Sequence, residues 1–421
     1  MPPEARLPEA RLPEARLPEA RLPEARLPEA RLIDLTRLLS RAGRVLTGID
    51  RVELAYLDHL LTLPMPGFAL VRTPLGYLLL GRVGMFAIAK GMHANHWGQQ
   101  RFFARLLRRV DPPALMARAV ARRTAMARCL RGGLGRLLRR RLPQRFQYLN
   151  IGHSNLTDRT LSAIRALPGA EIRIMIHDTI PLDWPDLQRE GTVPVFAAKL
   201  RRAGAFADVI VCPSAAAGAD IARHLAQWGR VPRILPAHLG VVPVPPDPAA
   251  LPPGLDLSAP YFVTLGTIEP RKNHALLLDA WAHLGPAPPR LFICGTRGWR
   301  NEGVFARLDA HPPGITELPG LSDAAVAALI AGATAFLFPS LAEGFGLPPV
   351  EAAALGTPVL CGDLAIWREV LGEVPVYLDL NDSYRWSKAV TELLADASAT
   401  PRRPRPAPTW EAHFKIALSD P

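Results

Sequence analysis

The sequence predicts an α/β chain of two domains, each a parallel sheet covered by helices on both faces, with a central cleft between them. Three observations carry this reading. The chain has 421 residues, more than a single core organises, and 49% of them are apolar. Short runs rich in Ile and Val alternate with helical stretches in two separate series. Between the two series lies a segment so rich in proline that neither a helix nor a central strand persists in it.

Residues 3–32 are six copies of PEARL. That period matches no solenoid or coiled coil and sets a proline where each helical turn needs an amide, so residues 1–32 are expected to be disordered. They contain no apolar core segment, and no secretory signal is expected there. From Leu32, strand-like "LIDLTRLL" leads through "SRAGRVLTGI" into the helical "DRVELAYLDHLLTL". "FQYLNIG", "EIRIMIHD" and "ADVIVCPS" follow as buried-strand runs of a first domain, residues 33–240. The stretch "PAHLGVVPVPPDPAALPPGLDLSAP" at 236–260 marks the boundary, with residues 241–258 as the linker. A second series, "YFVTLG", "RLFICG", "TAFLFPS", "PVLCG" and "PVYLDL" with helices between, builds a domain at 259–395, and residues 396–421 form a tail with a final helix near Trp410. The uncharged run Ala324–Ala342 approaches membrane-spanning length, but Gly332, Thr334 and Pro339 divide it into a short buried helix and strand.

The formal charge of +12 is local. Residues 101–145 hold fourteen arginines and one acid, Asp111, a local +13, so the remainder is close to neutral and a nucleic-acid partner is not expected. Phe102, Phe103, Leu106, Leu107, Met116, Leu137 and Leu138 make parts of this stretch amphipathic. It suits an anionic membrane surface, where each basic residue near the leaflet contributes about 1 kcal/mol. A soluble arginine-rich insertion or a disordered loop accounts for it equally, because Pro112, Pro113, Gly132, Gly133 and Gly135 interrupt any long helix. The four cysteines are far apart, with no pair at metal-ligand or redox spacing, which fits a reducing cytoplasm.

The densest chemistry lies in "AEGFGLPPVEAAALGTPV", residues 342–359. A strand ends, a glycine-rich turn follows, Pro348 and Pro349 occupy a helix's first turn, and Gly356 stops that helix. Such a helix start favours an anion, typically phosphate. Glu343 and Glu351, eight positions apart, are too far separated for one scissile bond and better suited to gripping two parts of an extended ligand through its hydroxyls. "LGTIEPRKNH", residues 265–274, adds the cations Arg271 and Lys272 after a strand-ending glycine, Gly266. His177 and Asp178 end another strand; taken alone the histidine suits a core or cap as well as a function, and the aspartate suits a cap.

Glu343, the turn Gly344, Phe345, Gly346 and the second acid Glu351 resemble the signature of glycosyltransferase family 4, retaining enzymes with the GT-B fold of two Rossmann-like domains facing a cleft. The resemblance runs over about residues 33–418 and is strongest over 261–372. It implies that Glu343 and the turn through Leu347 contact the transferred sugar and its phosphate, and that Glu351 holds the nucleotide ribose. Lys272 would bind the diphosphate, with Arg271 beside it. Many members carry arginine where this chain has Thr267, which leaves open whether Arg271 compensates. His177 would approach the donor sugar's hydroxyls. Gly48, in "TGIDRVE", resembles the first glycine loop, which faces the donor phosphate and the acceptor, although an ordinary turn explains it as well. "LPGLSD", with Leu321, corresponds to the segment that reads the base.

The function implied is a hexosyltransferase acting from a nucleotide-diphosphate sugar on a glycan or polyprenyl-linked acceptor in bacterial polysaccharide synthesis. No cofactor and no metal are expected, and the place is the cytoplasm, peripheral to the membrane if the basic stretch binds lipid. A nucleotide-sugar epimerase on the same fold, or a membrane- or nucleic-acid-binding protein with an inactive transferase body, are the alternatives.

Overall fold

The computed structural model of the protein describes residues 28–97, 112–395 and 404–419. Fully buried apolar runs such as "VIVC" and "AFLF" can only be strands covered on both faces, and they assemble into two sheets. The first comprises β1 (Ala30–Asp34), β2 (Gly67–Arg72), β3 (Gly76–Leu80), β4 (Ala125–Leu130), β5 (Phe146–Asn150), β6 (Ala170–Met175), β7 (Val209–Cys212) and β8 (Arg233–Pro236). Their order is β4-β3-β2-β1-β5-β6-β7-β8. The second comprises β9 (Tyr261–Leu265), β10 (Arg290–Cys294), β11 (Ile315–Leu318), β12 (Ala335–Phe338), β13 (Val359–Gly362) and β14 (Val376–Leu378), in the order β11-β10-β9-β12-β13-β14. All of its pairings are parallel. That is the doubly wound 3-2-1-4-5-6 order, whose direction of winding reverses between β9 and β12. The crevice beyond the carboxyl ends of those two strands is where such sheets bind ligands.

One boundary and one sheet direction differ from the sequence expectation. The last copy of PEARL does not stay outside the fold, because Ala30, Arg31 and Leu32 lie in β1 at the middle of the first sheet. Ala30 and Leu32 point into the core, so the first domain begins before residue 33. Residues 1–27, and with them the disorder expected of the earlier copies, lie outside the described residues. The first sheet also is not wholly parallel: β3 runs antiparallel to β2 and to β4.

The strand β4 comes from the arginine-rich stretch, which is built into the domain from residue 112 onward. Pro112 and Pro113 begin a helix, Pro112–Thr124, instead of breaking one. Along β4 inward and outward residues alternate, and the outward Arg128 marks a solvated edge strand. The next helix, Leu134–Arg141, buries Leu134 and Leu138 completely and leaves Arg139, Arg140 and Arg141 exposed. Phe102, Phe103, Leu106 and Leu107 lie outside the described residues.

The chain crosses between the domains twice. The proline-rich linker is not loose: Asp247 N donates to Ala324 O at 3.3 Å and the turn Pro248–Ala250 lies on the helix Asp323–Gly332. The tail returns to the first domain, where Val241 N meets Pro408 O at 2.9 Å and the helix Trp410–Ala417 packs. His413 fastens it: its Nδ1 lies 3.2 and 3.1 Å from the carbonyl oxygens of Ala237 and His238, and its Nε2 2.9 Å from the Tyr56 hydroxyl. Buried Arg173 donates to Ala417 O at 2.8 Å, satisfying a helix-end carbonyl. Ala324–Ala342 resolves into the expected helix and β12, and among the described residues no helix is long and apolar enough to cross a membrane.

Candidate functional site

At the switch point two loops meet. The loop after β9 leaves through Gly266, with φ +146°, where a Cβ would press on the Lys272 side chain at 3.2 Å. A 3₁₀ turn, Pro270–Lys272, then presents both cations. The loop after β12 brings Ser340 and Glu343 against them. Three donors converge on one oxygen, Glu343 Oε1: Lys272 Nζ at 2.5 Å, Arg271 Nη1 at 2.5 Å and Ser340 Oγ at 2.7 Å. None of them touches Oε2, and Glu343 lines the gap between the domains. Burial pushes this carboxyl up, but Arg271 and Lys272 outweigh it and hold the pKa at about 2. Burial lowers the Lys272 pKa, against the pull of Glu343.

Arg271 differs from its neighbour. Its Nη1 also donates to Ala342 O at 2.7 Å and its Nη2 to Glu269 Oε1 at 2.7 Å, so both terminal nitrogens are engaged. It anchors the Glu343 loop, its guanidinium held between the carboxylates of Glu343 and Glu269. The Thr267 methyl packs against Gly298.

The turn needs its glycines for two different reasons. A Cβ on Gly344 would sit 2.1 Å from the carbonyl oxygen of His177, so the domains touch there backbone to backbone. Gly346 has φ +78°, and a Cβ would lie 2.5 Å from Trp367 Nε1. Phe345 is buried, its ring packed into the core. The amides of Gly344, Phe345, Gly346 and Leu347 make no hydrogen bond to the described residues. With the start of the helix Leu347–Ala354, they form a set of donors ready for an anion.

The first domain supplies the opposite wall. His177 is buried, its Nε2 2.9 Å from Ile151 O, which fixes the Nε2–H tautomer and leaves Nδ1 as an acceptor. Burial lowers its pKa to about 4. Asp178 caps its turn as expected, Oδ1 accepting from Ile180 N at 3.2 Å. Burial raises that carboxyl to about 6, with Arg271 opposing and Glu343 adding to the rise. Asp178, Trp184 and Asp220 line one side of a cavity of about 300 Å³ whose other side is Glu343, Gly344 and Ile366.

Gly48 begins the helix Gly48–Thr62, whose start is fixed by a capping box of Thr47 and Asp50. A Cβ there would meet Leu347 Cδ1 at an ordinary 3.6 Å, so Gly48 does face the other domain, but space alone does not demand glycine. Leu321, partly buried, packs against the core just before the Ser322 cap. Glu351 is half-buried on its helix, and burial raises its pKa.

Sequence reasoning missed four side chains here. Ser340 and Glu269 hold Glu343 and Arg271 in place. Arg51 crosses from the first domain, its Nη2 2.8 Å from Asp323 Oδ1 and its Nη1 3.6 Å from Glu351 Oε1. Arg51 stands three residues after Gly48, and Asp323 closes "LPGLSD", so both were inside stretches already singled out. Elsewhere the domains are joined by Glu369, which accepts from Ala215 N at 2.7 Å and Ala216 N at 3.0 Å, and by Ser214 Oγ donating to Gly344 O at 3.1 Å. Among the described residues no group of three or more His, Cys, Asp or Glu is placed to hold a metal ion.

Residues 252–407 match the family described as "Glycosyl transferases group 1". The serotype-specific mannosyltransferase WbdA of Escherichia coli is 33% identical over 254 residues, 56% of this chain and 31% of that protein. The O-antigen chain mannosyltransferase B of Escherichia coli is 35% identical over 144 residues, 33% of this chain and 38% of that protein. The chain thus spans about a third of the length of these curated relatives. Among solved structures, sucrose-phosphate synthase from Thermosynechococcus elongatus superposes with a TM-score of 0.59 at 14% identity, covering 93% of this chain and 96% of that one. Anabaena HepE in complex with UDP-glucose gives 0.53 at 13% identity, over 92% and 94%. The fold is GT-B.

Proposed function

We propose, for a chain whose residues 252–407 match the glycosyl transferases group 1 family, a hexosyltransferase acting from a nucleotide-diphosphate sugar on a glycan or lipid-linked glycan in bacterial polysaccharide synthesis. The observation that carries it is the convergence of Lys272, Glu343 and the partner-free turn amides at the β9/β12 switch point, with Glu351 one helix turn beyond. A diphosphate there would be met by Lys272 and the amides, the sugar by Glu343 Oε2, and the ribose by Glu351. Charge stabilisation of this kind is usually the largest single catalytic contribution. The relatives named as a serotype-specific mannosyltransferase and an O-antigen chain mannosyltransferase support a mannose-like hexose and a polysaccharide product.

The reaction retains anomeric configuration and needs no metal. The bond from the anomeric carbon to the diphosphate oxygen breaks, and the acceptor oxygen bonds to that carbon on the same face. The acceptor's proton passes to a donor phosphate oxygen. The protein contributes position and charge, and closure of the two domains excludes water. The exposed arginines of Leu134–Arg141 would hold the protein at an anionic membrane that carries the acceptor.

The test is a thermal-shift screen of UDP-, GDP- and ADP-sugars with Glu351→Ala alongside. A stabilising donor, lost in the variant, supports the reading; no shift by any donor in well-folded protein overturns it. Product anomer by NMR and activity in a metal chelator check the two finer claims.

A further inference from the structure

We propose that Arg51, a residue of the N-terminal domain, is a donor-positioning residue: it reaches across the gap to hold the Glu351 carboxylate for the ribose hydroxyls, which makes nucleoside binding and domain closure one event. The proposal rests on the reading above that Glu351 takes the ribose.

Arg51 is held on a rigid turn. Its N donates to Thr47 O at 3.0 Å, and Asp50 of the capping box is itself clamped by Arg37 at 2.8 Å and Arg41 at 3.1 Å. From that base the guanidinium spans two elements of the other domain. One nitrogen bonds Asp323 at 2.8 Å, at the start of the helix following the segment expected beside the base, and the other faces Glu351 at 3.6 Å. A planar fork between two carboxylates is the geometry for which arginine is suited and lysine is not. The contact to Glu351 is longer than a hydrogen bond, so Arg51 orients the carboxylate without occupying its acceptor sites for a diol.

The charged groups acting on Glu351 are Arg51, from the Gly48–Thr62 helix, and Asp323, from the Asp323–Gly332 helix; its own helix, "LPPVEAAA", carries no other charge. Burial favours the protonated acid, Arg51 opposes this, and Asp323 reinforces it. Without Arg51, the carboxylate would face a like charge in a half-buried site and take up a proton at higher pH. A protonated Glu351 accepts hydrogen bonds from a ribose poorly. Gly48 lies against Leu347, so the two helix starts meet across the gap that Arg51 spans.

The experiment is calorimetric titration of the best nucleoside diphosphate among UDP, GDP and ADP, and of its 2′,3′-dideoxy form, from pH 8 to 5.5. The proteins are wild type, Arg51→Ala, Arg51→Lys, Glu351→Ala, and Arg51→Ala with Asp323→Asn. Arg51→Ala should weaken binding of the ribose form about tenfold at pH 7, as expected for one charge-assisted contact. The loss should grow as pH falls and shrink towards nothing for the dideoxy form. Arg51→Lys should recover part of the pH effect, and so should Asp323→Asn in the Arg51→Ala background. If Arg51→Ala keeps the wild-type pH profile and the wild-type ratio of ribose to dideoxy binding while Glu351→Ala loses both, the role of Arg51 is refuted and the ribose assignment stands. If Glu351→Ala itself binds the ribose form as wild type does, the ribose assignment fails, and this proposal fails with it.

Discussion

Lys272 and Glu343, from loops after different strands, form a 2.5 Å ion pair at the point where the C-terminal sheet reverses its winding. The pair is almost wholly withdrawn from solvent, so each partner stabilises the charge of the other. Lys272→Met leaves Arg271 and Ser340 holding Glu343, and the fold should survive. Its kcat should fall by about 10²–10³, the scale for removing one preorganised charge donor. Glu343→Gln instead leaves Lys272 without its carboxylate partner, while Arg271 keeps Glu269, and should cost about 3–5 kcal/mol of stability. Urea unfolding of both variants beside their kinetics checks this; equal destabilisation by the two would contradict it.

Gly344 is where the domains meet backbone to backbone. Gly344→Ala places a Cβ on the His177 carbonyl and should hold the domains apart. Small-angle scattering should show a larger radius of gyration, and turnover should fall more than nucleotide affinity, because the contacts proposed for the diphosphate belong to one domain.

His413 ties the returning helix to the first domain as a neutral ring, burial lowering its pKa to about 4. A histidine depressed below its unfolded value of about 6.5 stabilises fully above that pH and loses its contribution as pH falls towards 4. Wild type should therefore lose up to about 1.4 kcal/mol per pH unit more than His413→Gln across that window. His177 and His274, also lowered to about 4, act in both proteins and cancel. Urea midpoints between pH 7 and 4.5 provide the measurement; parallel pH dependences would refute it.

The arginine-rich helix has two faces, a buried apolar one and an exposed basic one, the latter being the face proposed for the membrane. Leu138→Ala should destabilise by about 2–5 kcal/mol, since Leu138 is fully buried. Arg139→Glu with Arg140→Glu should leave the melting temperature within a few degrees and reduce sedimentation with anionic vesicles. Loss of folding in the double variant would show that these arginines belong to the core.

The C-terminal half of the site was legible because its backbone is unusual. Gly344, Gly346, Pro348 and Pro349 each have a narrow conformational reason to stand where they do, and the two acids are fixed by the same short segment. Arg51 was not legible in the same way. Its partners lie 272 residues away at Asp323 and in the other domain, and a charged residue on a helix reads locally as a solvated one. The strand β4 was hidden for a related reason. Its alternation, Ala125, Ala127 and Cys129 inward against Met126, Arg128 and Leu130 outward, is a strand pattern, but the surrounding arginines masked it. The repeat misled in the opposite direction: five copies predict nothing about the sixth, whose last three residues are drawn into the sheet by the apolar run that follows.

The most direct measurement is a crystal structure with the tightest-binding nucleoside diphosphate. The diphosphate should lie within hydrogen-bond reach of Lys272 Nζ and the Gly344–Leu347 amides, with both ribose hydroxyls on Glu351. A nucleotide bound elsewhere, or bound here with Glu351 turned away from the ribose, would contradict the account.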